Sequence, residues 1–101
     1  MSIPVEHRKD VNELVIRMPP NFDFKVHRDF RSAYTSDCSP TTSYVVDFRN
    51  TNYLDSSALG MLLQLREHAG SDRKRLRLVN VNSTIMDILR IANFEKLMTI
   101  N

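Results

Sequence analysis

The spacing of apolar side chains alternates between two periods along this chain, and the changes mark its elements. Leu14, Ile16 and Met18 recur at every second position, which predicts a half-buried strand over residues 13–18. A partner strand is expected over 3–8, with a turn at Asp10, Val11 and Asn12 between the two. Pro19, Pro20 and Asn21 end the second strand. From Lys25 the period becomes helical, since Val26, Phe30, Ala33 and Tyr34 fall at i, i+4, i+7 and i+8. Asp23 stands just before this helix, where a carboxylate can cap it or meet its positive end. The run SDCSPTTS over 36–43 reads as a polar loop, and the β-branched and aromatic stretch 44–48 as a buried strand.

FRNTNYL then reads as a connection. Residues 56–69 predict a second helix, with Ala58, Leu62, Leu65 and Ala69 on one face and Leu59 and Leu63 beside it. Gly70 is its expected stop. Residues 75–81 predict the next strand, and Asn82 or Ser83 caps a third helix in which Ile85, Ile88, Leu89 and Ala92 share a face. A short last strand is expected over 97–100. The order β-β-α-β-α-β-α-β places the chain in the α/β class, with a mixed sheet that is parallel at its crossovers.

Composition narrows the function. At 101 residues, 42% hydrophobic and 26% charged, the chain fits one domain, 1–101, with its own core. Cys38 is the only cysteine, so no internal disulfide can form, in keeping with a reducing compartment. No apolar run approaches the roughly 20 residues of a membrane span, and MSIPVEHRKD lacks a signal sequence's apolar centre. The expectation is a cytoplasmic protein without membrane partners. The net charge is +2, and the basic cluster DRKRLR over 72–77 straddles a helix–strand turn with Leu76 and Leu78 alternating inward. That is a solvated strand face, and no nucleic-acid partner is expected.

Candidate chemistry is sparse. His7, His27 and His68 lie in different elements and form no ligand-spaced pair, so no metal is expected. Cys38 lacks the charged neighbours that activate a nucleophile. Gly60 and Gly70, the two glycines, match no phosphate-binding fingerprint, so no nucleotide cofactor is expected. DSSALG is not the G-x-S-x-G elbow of hydrolases. What remains is that stretch itself. If Asp55 is the cap, Ser56 and Ser57 occupy the first helical positions, where free backbone N–H groups and the helix dipole tolerate a phosphate. On these residues alone, capping and a modification or binding site both stay open. Ser83 and Thr84 read as capping residues.

VVDFRNTNYLDSSALGMLLQLREHA, RLRLVNVNSTIMDILRIANFEKLMTI and NFDF together resemble the STAS domain, and within it the bacterial anti-sigma-factor antagonists. The resemblance covers nearly the whole chain. It implies a mixed four- to five-stranded sheet with helices packed on one face, and a binding protein instead of an enzyme. It also implies that Ser57, or less favourably Ser56, is phosphorylated by an anti-sigma factor that is a serine kinase. The unphosphorylated form then binds that partner, and a PP2C-type serine phosphatase resets the switch. Asp23, Phe24, Asp55, Ser56, Ser57, Ala58, Leu59 and Met61 are the partner-binding residues implied.

The chain departs from the family pattern in three places. Ala58 stands where the family often has Gly, no glycine precedes Asp23, and the sequence ends at Asn101 where many relatives continue into a final helix. The last departure would leave one sheet face partly open, which favours a homodimer or a tight partner. The alternative within the family is a non-switching STAS subunit that binds an ABC-transporter ATPase. A nucleotide- or ligand-binding STAS module finds no support here, because no phosphate loop is present.

Overall fold

The computed structural model describes residues 3–35 and 41–101. Cys38 and most of the expected polar loop lie outside the described residues. β1 (Val5–Arg8) and β2 (Glu13–Arg17) form the expected hairpin, antiparallel with Val5 opposite Ile16. A short strand β3 (Asn21–Phe22) and a 3-10 turn (Phe24–Val26) lead into α1 (His27–Thr35). β4 (Ser43–Asp47) pairs parallel to β2. Then come β5 (Tyr53–Leu54), α2 (Ser56–His68), a 3-10 turn (Arg73–Arg75), β6 (Leu76–Val79), α3 (Ser83–Ile91), a 3-10 turn (Phe94–Lys96) and β7 (Thr99–Ile100).

The main sheet runs β1-β2-β4-β6-β7, and β4, β6 and β7 are each added parallel on the same side. Parallel crossovers are right-handed in nearly all proteins. Three crossovers advancing in one direction therefore place α1, α2 and α3 on one face of the sheet. That face is the core: Leu14, Ile16, Tyr44, Val46, Leu76 and Leu78 meet Phe30, Leu62, Leu65 and Leu89 from the helices. The expected sheet and helix placement are both present.

On the opposite face, Val15 and Val45 are each only 5% exposed although no helix covers them. Long charged side chains lie around them. Glu6 meets Arg17 at 2.9 Å and Arg8 at 3.1 Å, and Glu13 meets Arg77 at 3.0 Å. The hydrocarbon stems of such residues cover apolar surface while their heads stay in water.

Local rules set the helix ends. Asn82 caps α3 by accepting from the Ile85 N–H at 2.9 Å. Gly70, at φ +80°, ends α2. Its N–H donates to Glu67 O and that of Ser71 to Arg66 O, the paired bonds of a Schellman turn. A Cβ at Gly70 would also press on an Arg75 Nη1, at 3.3 Å.

The sequence reading differs from the structure at β3 and β5. Apolar spacing assigns both to connections, yet they pair parallel, Asn21 with Tyr53 and Phe22 with Leu54. The loop between β4 and β5 is fixed by Thr51, which is 1% exposed. Its hydroxyl donates to Pro19 O at 2.9 Å, and its carbonyl accepts from Asn82 Nδ2 at 2.9 Å. One residue thus ties the end of β2, this loop and the start of α3. Thr51→Val keeps the shape but removes the donor. Urea unfolding should show a loss of about 1–2 kcal/mol. A loss below about 0.5 kcal/mol would mean that water replaces the hydroxyl at Pro19.

Candidate functional site

The β3–β5 ribbon builds the site. Phe22 is fully buried and Leu54 is 4% exposed, and the two sit opposite each other. Phe22 packs on Phe30 and Phe48, with ring centroids 5.3 and 6.0 Å away. The next residue on each strand is an aspartate, so Asp23 and Asp55 emerge side by side at the ribbon's end, and the Asp55 N–H donates to Phe22 O at 3.3 Å. Each carboxylate then caps the helical turn that follows. Asp23 accepts from the Lys25 N–H at 2.9 Å, and Asp55 accepts from the Ala58 N–H at 3.0 Å. Asp23 therefore caps the 3-10 turn that precedes α1, not α1 itself.

Ser57 lies at the second position of α2, half-buried, and its Oγ donates to Asp55 Oδ1 at 2.6 Å. Ser56 is exposed. The hydrogen bond from Ser57 holds the Asp55 carboxyl below the usual carboxylate range, helped by backbone N–H groups and opposed by partial desolvation. Asp55 is thus anionic through the neutral range, and the Ser57 proton is turned towards it.

Phe24 projects from the 3-10 turn, 68% exposed, with the His27 ring stacked on it at 5.4 Å. Leu59 is half-buried. Two expected partner contacts need correction. Ala58 is fully buried and Met61 is 3% exposed, so both side chains belong to the core. They lie with Leu62 and Leu65 on the face of α2 that packs inward. They support the site from below and present no surface to a partner.

Tyr53, 53% exposed, stands one residue before Leu54 at the same corner, a surface residue that apolar spacing does not single out. Its signal is the aspartate that follows each paired strand, Asp23 after Asn21-Phe22 and Asp55 after Tyr53-Leu54. Of the remaining candidates, His68 sits against Tyr34 and Tyr44 with ring centroids at 5.0 and 5.6 Å, and Cys38 lies outside the described residues. Among the described residues, no group of three or more His, Cys, Asp or Glu side chains could hold a metal ion. No helix among them is long and apolar enough to cross a membrane.

A mixed sheet with three helices on one face, and a serine at a helix start capped by an aspartate, defines a small α/β domain of the STAS type. The chain belongs to the STAS-domain family: the family model described as "Mlab, STAS domain" matches residues 5–99. A STAS-domain-containing protein of Pseudomonas aeruginosa (strain UCBPP-PA14) is 46% identical over 101 residues, covering 100% of both chains. Among solved structures, an anti-sigma-factor antagonist (STAS) domain protein from Planctomyces limnophilus is similar at a TM-score of 0.81 and 18% identity, over 99% of this chain and 89% of that one. The anti-sigma factor antagonist SpoIIAA in its unphosphorylated form is similar at 0.67 and 16%, over 99% and 87%. The phosphorylated form of the Bacillus cell fate determinant SpoIIAA is similar at 0.65 and 16%, over 99% and 91%. At these identities the likeness to the solved structures is one of fold.

The Asp55–Ser57 bond makes a pH prediction. Because the folded carboxyl titrates below its unfolded value, its contribution to stability is present above the unfolded pKa and is lost as pH falls through the folded one. In Ser57→Ala the Asp55 midpoint, followed by carboxyl carbon NMR, should move upward toward an ordinary aspartate. An unmoved midpoint would show that the hydroxyl is not the main cause.

Proposed function

We propose that this protein is a phosphorylation-controlled anti-sigma-factor antagonist, with Ser57 as the phosphoacceptor. One observation carries the reading: the Ser57 hydroxyl donates to the Asp55 cap at the start of α2, and the strand ends that precede Asp55 and Asp23 are paired. Support also comes from the fold shared with an antagonist that has been solved in unphosphorylated and phosphorylated forms. In the unphosphorylated state the corner formed by Asp23, Phe24, Asp55, Ser56, Ser57 and Leu59 binds an anti-sigma factor that is also a serine kinase. The setting is the cytoplasm, where ATP is available.

The transfer step uses the hydroxyl as the nucleophile. Ser57 Oγ attacks the γ-phosphorus of ATP in the partner. The new O–P bond forms as the bond to the bridging oxygen breaks, and ADP leaves. The hydroxyl proton goes to a base of the kinase, because Asp55, held below the usual carboxylate range, is a poor final acceptor. Asp55 instead holds the hydroxyl in place before the reaction, and the O–H turns from Asp55 to the kinase base as the oxygen attacks.

Phosphorylation adds about −1.5 to −2 charge, so a net +2 falls to roughly zero. The local effect is larger, since the dianion lands beside the Asp55 carboxylate. The positive end of α2 returns only about 0.3–1 kcal/mol at an exposed position. Like charges brought together in an interface cost several kcal/mol. The phosphate therefore blocks docking through charge and lost desolvation, with no refolding of the domain. A PP2C-type phosphatase restores the hydroxyl.

The test is phosphotransfer and binding with the purified kinase. Ser57→Ala should take up no phosphate while Ser56→Ala is still modified. Ser57→Glu should bind the kinase about 100-fold more weakly than wild type, given a repulsion of a few kcal/mol. Tight binding by Ser57→Glu overturns the reading. So does a native partner that proves to be a transporter ATPase and leaves Ser57 unmodified.

A further inference from the structure

One concave surface takes no part in the Ser57 site. Where β2 ends, a half-open pocket of about 380 Å³ lies between the segment leading into β1 and the 3-10 turn after Asp23. Ile3, Met18, Pro19, Pro20 and Val26 give it apolar walls. Pro19 and Pro20 have fixed φ angles, so that part of the wall is held in place without a ligand and binding has little left to order. Its volume and apolar lining are those of ordinary small-molecule sites, which span roughly 300–1,000 Å³.

The polar groups are Arg17 and Asn50. Arg17 uses Nη2 on Glu6 Oε1 at 2.9 Å, which leaves its remaining N–H groups for another acceptor. A smaller hollow shares Arg17, Met18 and Asn50 and adds Asp47 and Arg49. The Asp47 carboxylate already accepts from the Arg49 backbone N–H and from Asn80 Nδ2, both at 2.9 Å. The Arg49 guanidinium forms no ion pair among the described residues. The mouth thus offers one guanidinium, that of Arg17, with Arg49 in the adjoining hollow, while Glu6 and Asp47 already accept hydrogen bonds from the chain itself.

An apolar recess with a guanidinium at its mouth fits an amphiphile that ends in a carboxylate. We propose that this pocket binds a small acyl carboxylate, its chain against Met18, Pro19 and Val26 and its carboxylate on Arg17. The site is independent of the Ser57 reading, though its walls touch the same turns. Pro20 O accepts the N–H groups of Asn52 and Tyr53 at 2.8 and 3.2 Å, and the Val26 N–H donates to Asp23 O at 3.2 Å. A bound chain therefore braces the turns that carry Asp23 and Asp55.

The experiment is a methyl NMR titration of the full chain labelled at its methionine methyls. Sodium octanoate should move the Met18 methyl saturably and leave Met61 and Met98, which do not line the pocket, in place. Hexanoate, two methylenes shorter, should bind roughly fifteenfold more weakly, because each methylene withdrawn from water strengthens binding about fourfold. Arg17→Gln should weaken octanoate about tenfold, the scale of one charge-assisted hydrogen bond. The proposal fails if millimolar octanoate gives no saturable shift at Met18. It fails equally if octylammonium binds as well as octanoate, or if all three methyls move together.

Discussion

Phe22 and Leu54 enter the core opposite each other, and the site depends on that pairing. Burying two such side chains contributes roughly 1.5–3 kcal/mol each, far more than any single polar contact at the surface above them. Their register is fixed by the core, so the aspartates that follow have no freedom to separate. Each carboxylate is also occupied as a cap, Asp23 on the Lys25 N–H and Asp55 on the Ala58 N–H. The two aspartates thus leave paired strand ends, placed by apolar packing beneath them. The electrostatics of the corner are a product of the hydrophobic core.

The same logic separates the two faces of the sheet. Crossovers advancing in one direction collect the helices on one side, and nearly all the large apolar residues follow them. The other side keeps Val15 and Val45 dry with a lattice of Glu6, Arg8, Glu13, Arg17 and Arg77. Water screens such exposed pairs, so they add little to stability. Their role is to cover two valines and to keep a face without helices polar.

Much of this was legible in the sequence because it rests on periodic patterns. The three helices, the five strands of the main sheet and the Asp55 cap follow from apolar spacing and from the residue types at helix ends. β3 and β5 were not legible, since two residues carry no period; only the echoed aspartates pointed to them. The misplaced contacts have a geometric cause. Residues 55–61 are contiguous in sequence, but a helix turns about 100° per residue. A stretch of that length sweeps almost two full turns, so it cannot all face one partner. Ala58 and Met61 fall on the stripe shared with Leu62 and Leu65, and the core claims them. The apolar pocket at the end of β2 was illegible for a different reason: its walls come from three separate segments.

The Ser57 hydrogen bond also bears on what modification can change. The hydroxyl is the donor to Asp55, and a phosphoester oxygen has no hydrogen to donate. On the proposed reading that bond is lost, but Asp55 keeps the Ala58 N–H and so remains the cap of α2. Beneath the first turn, Ala58, Met61, Leu62, Leu65 and Ala69 are all buried. Freeing α2 from the sheet would expose several such residues at roughly 1.5–3 kcal/mol for each large one, against a single surface hydrogen bond worth about 1 kcal/mol. The helix therefore stays, and the phosphate projects from a fixed platform. A fixed platform makes the charge an effective signal: the dianion cannot be relieved by local rearrangement, and its repulsion falls on the partner.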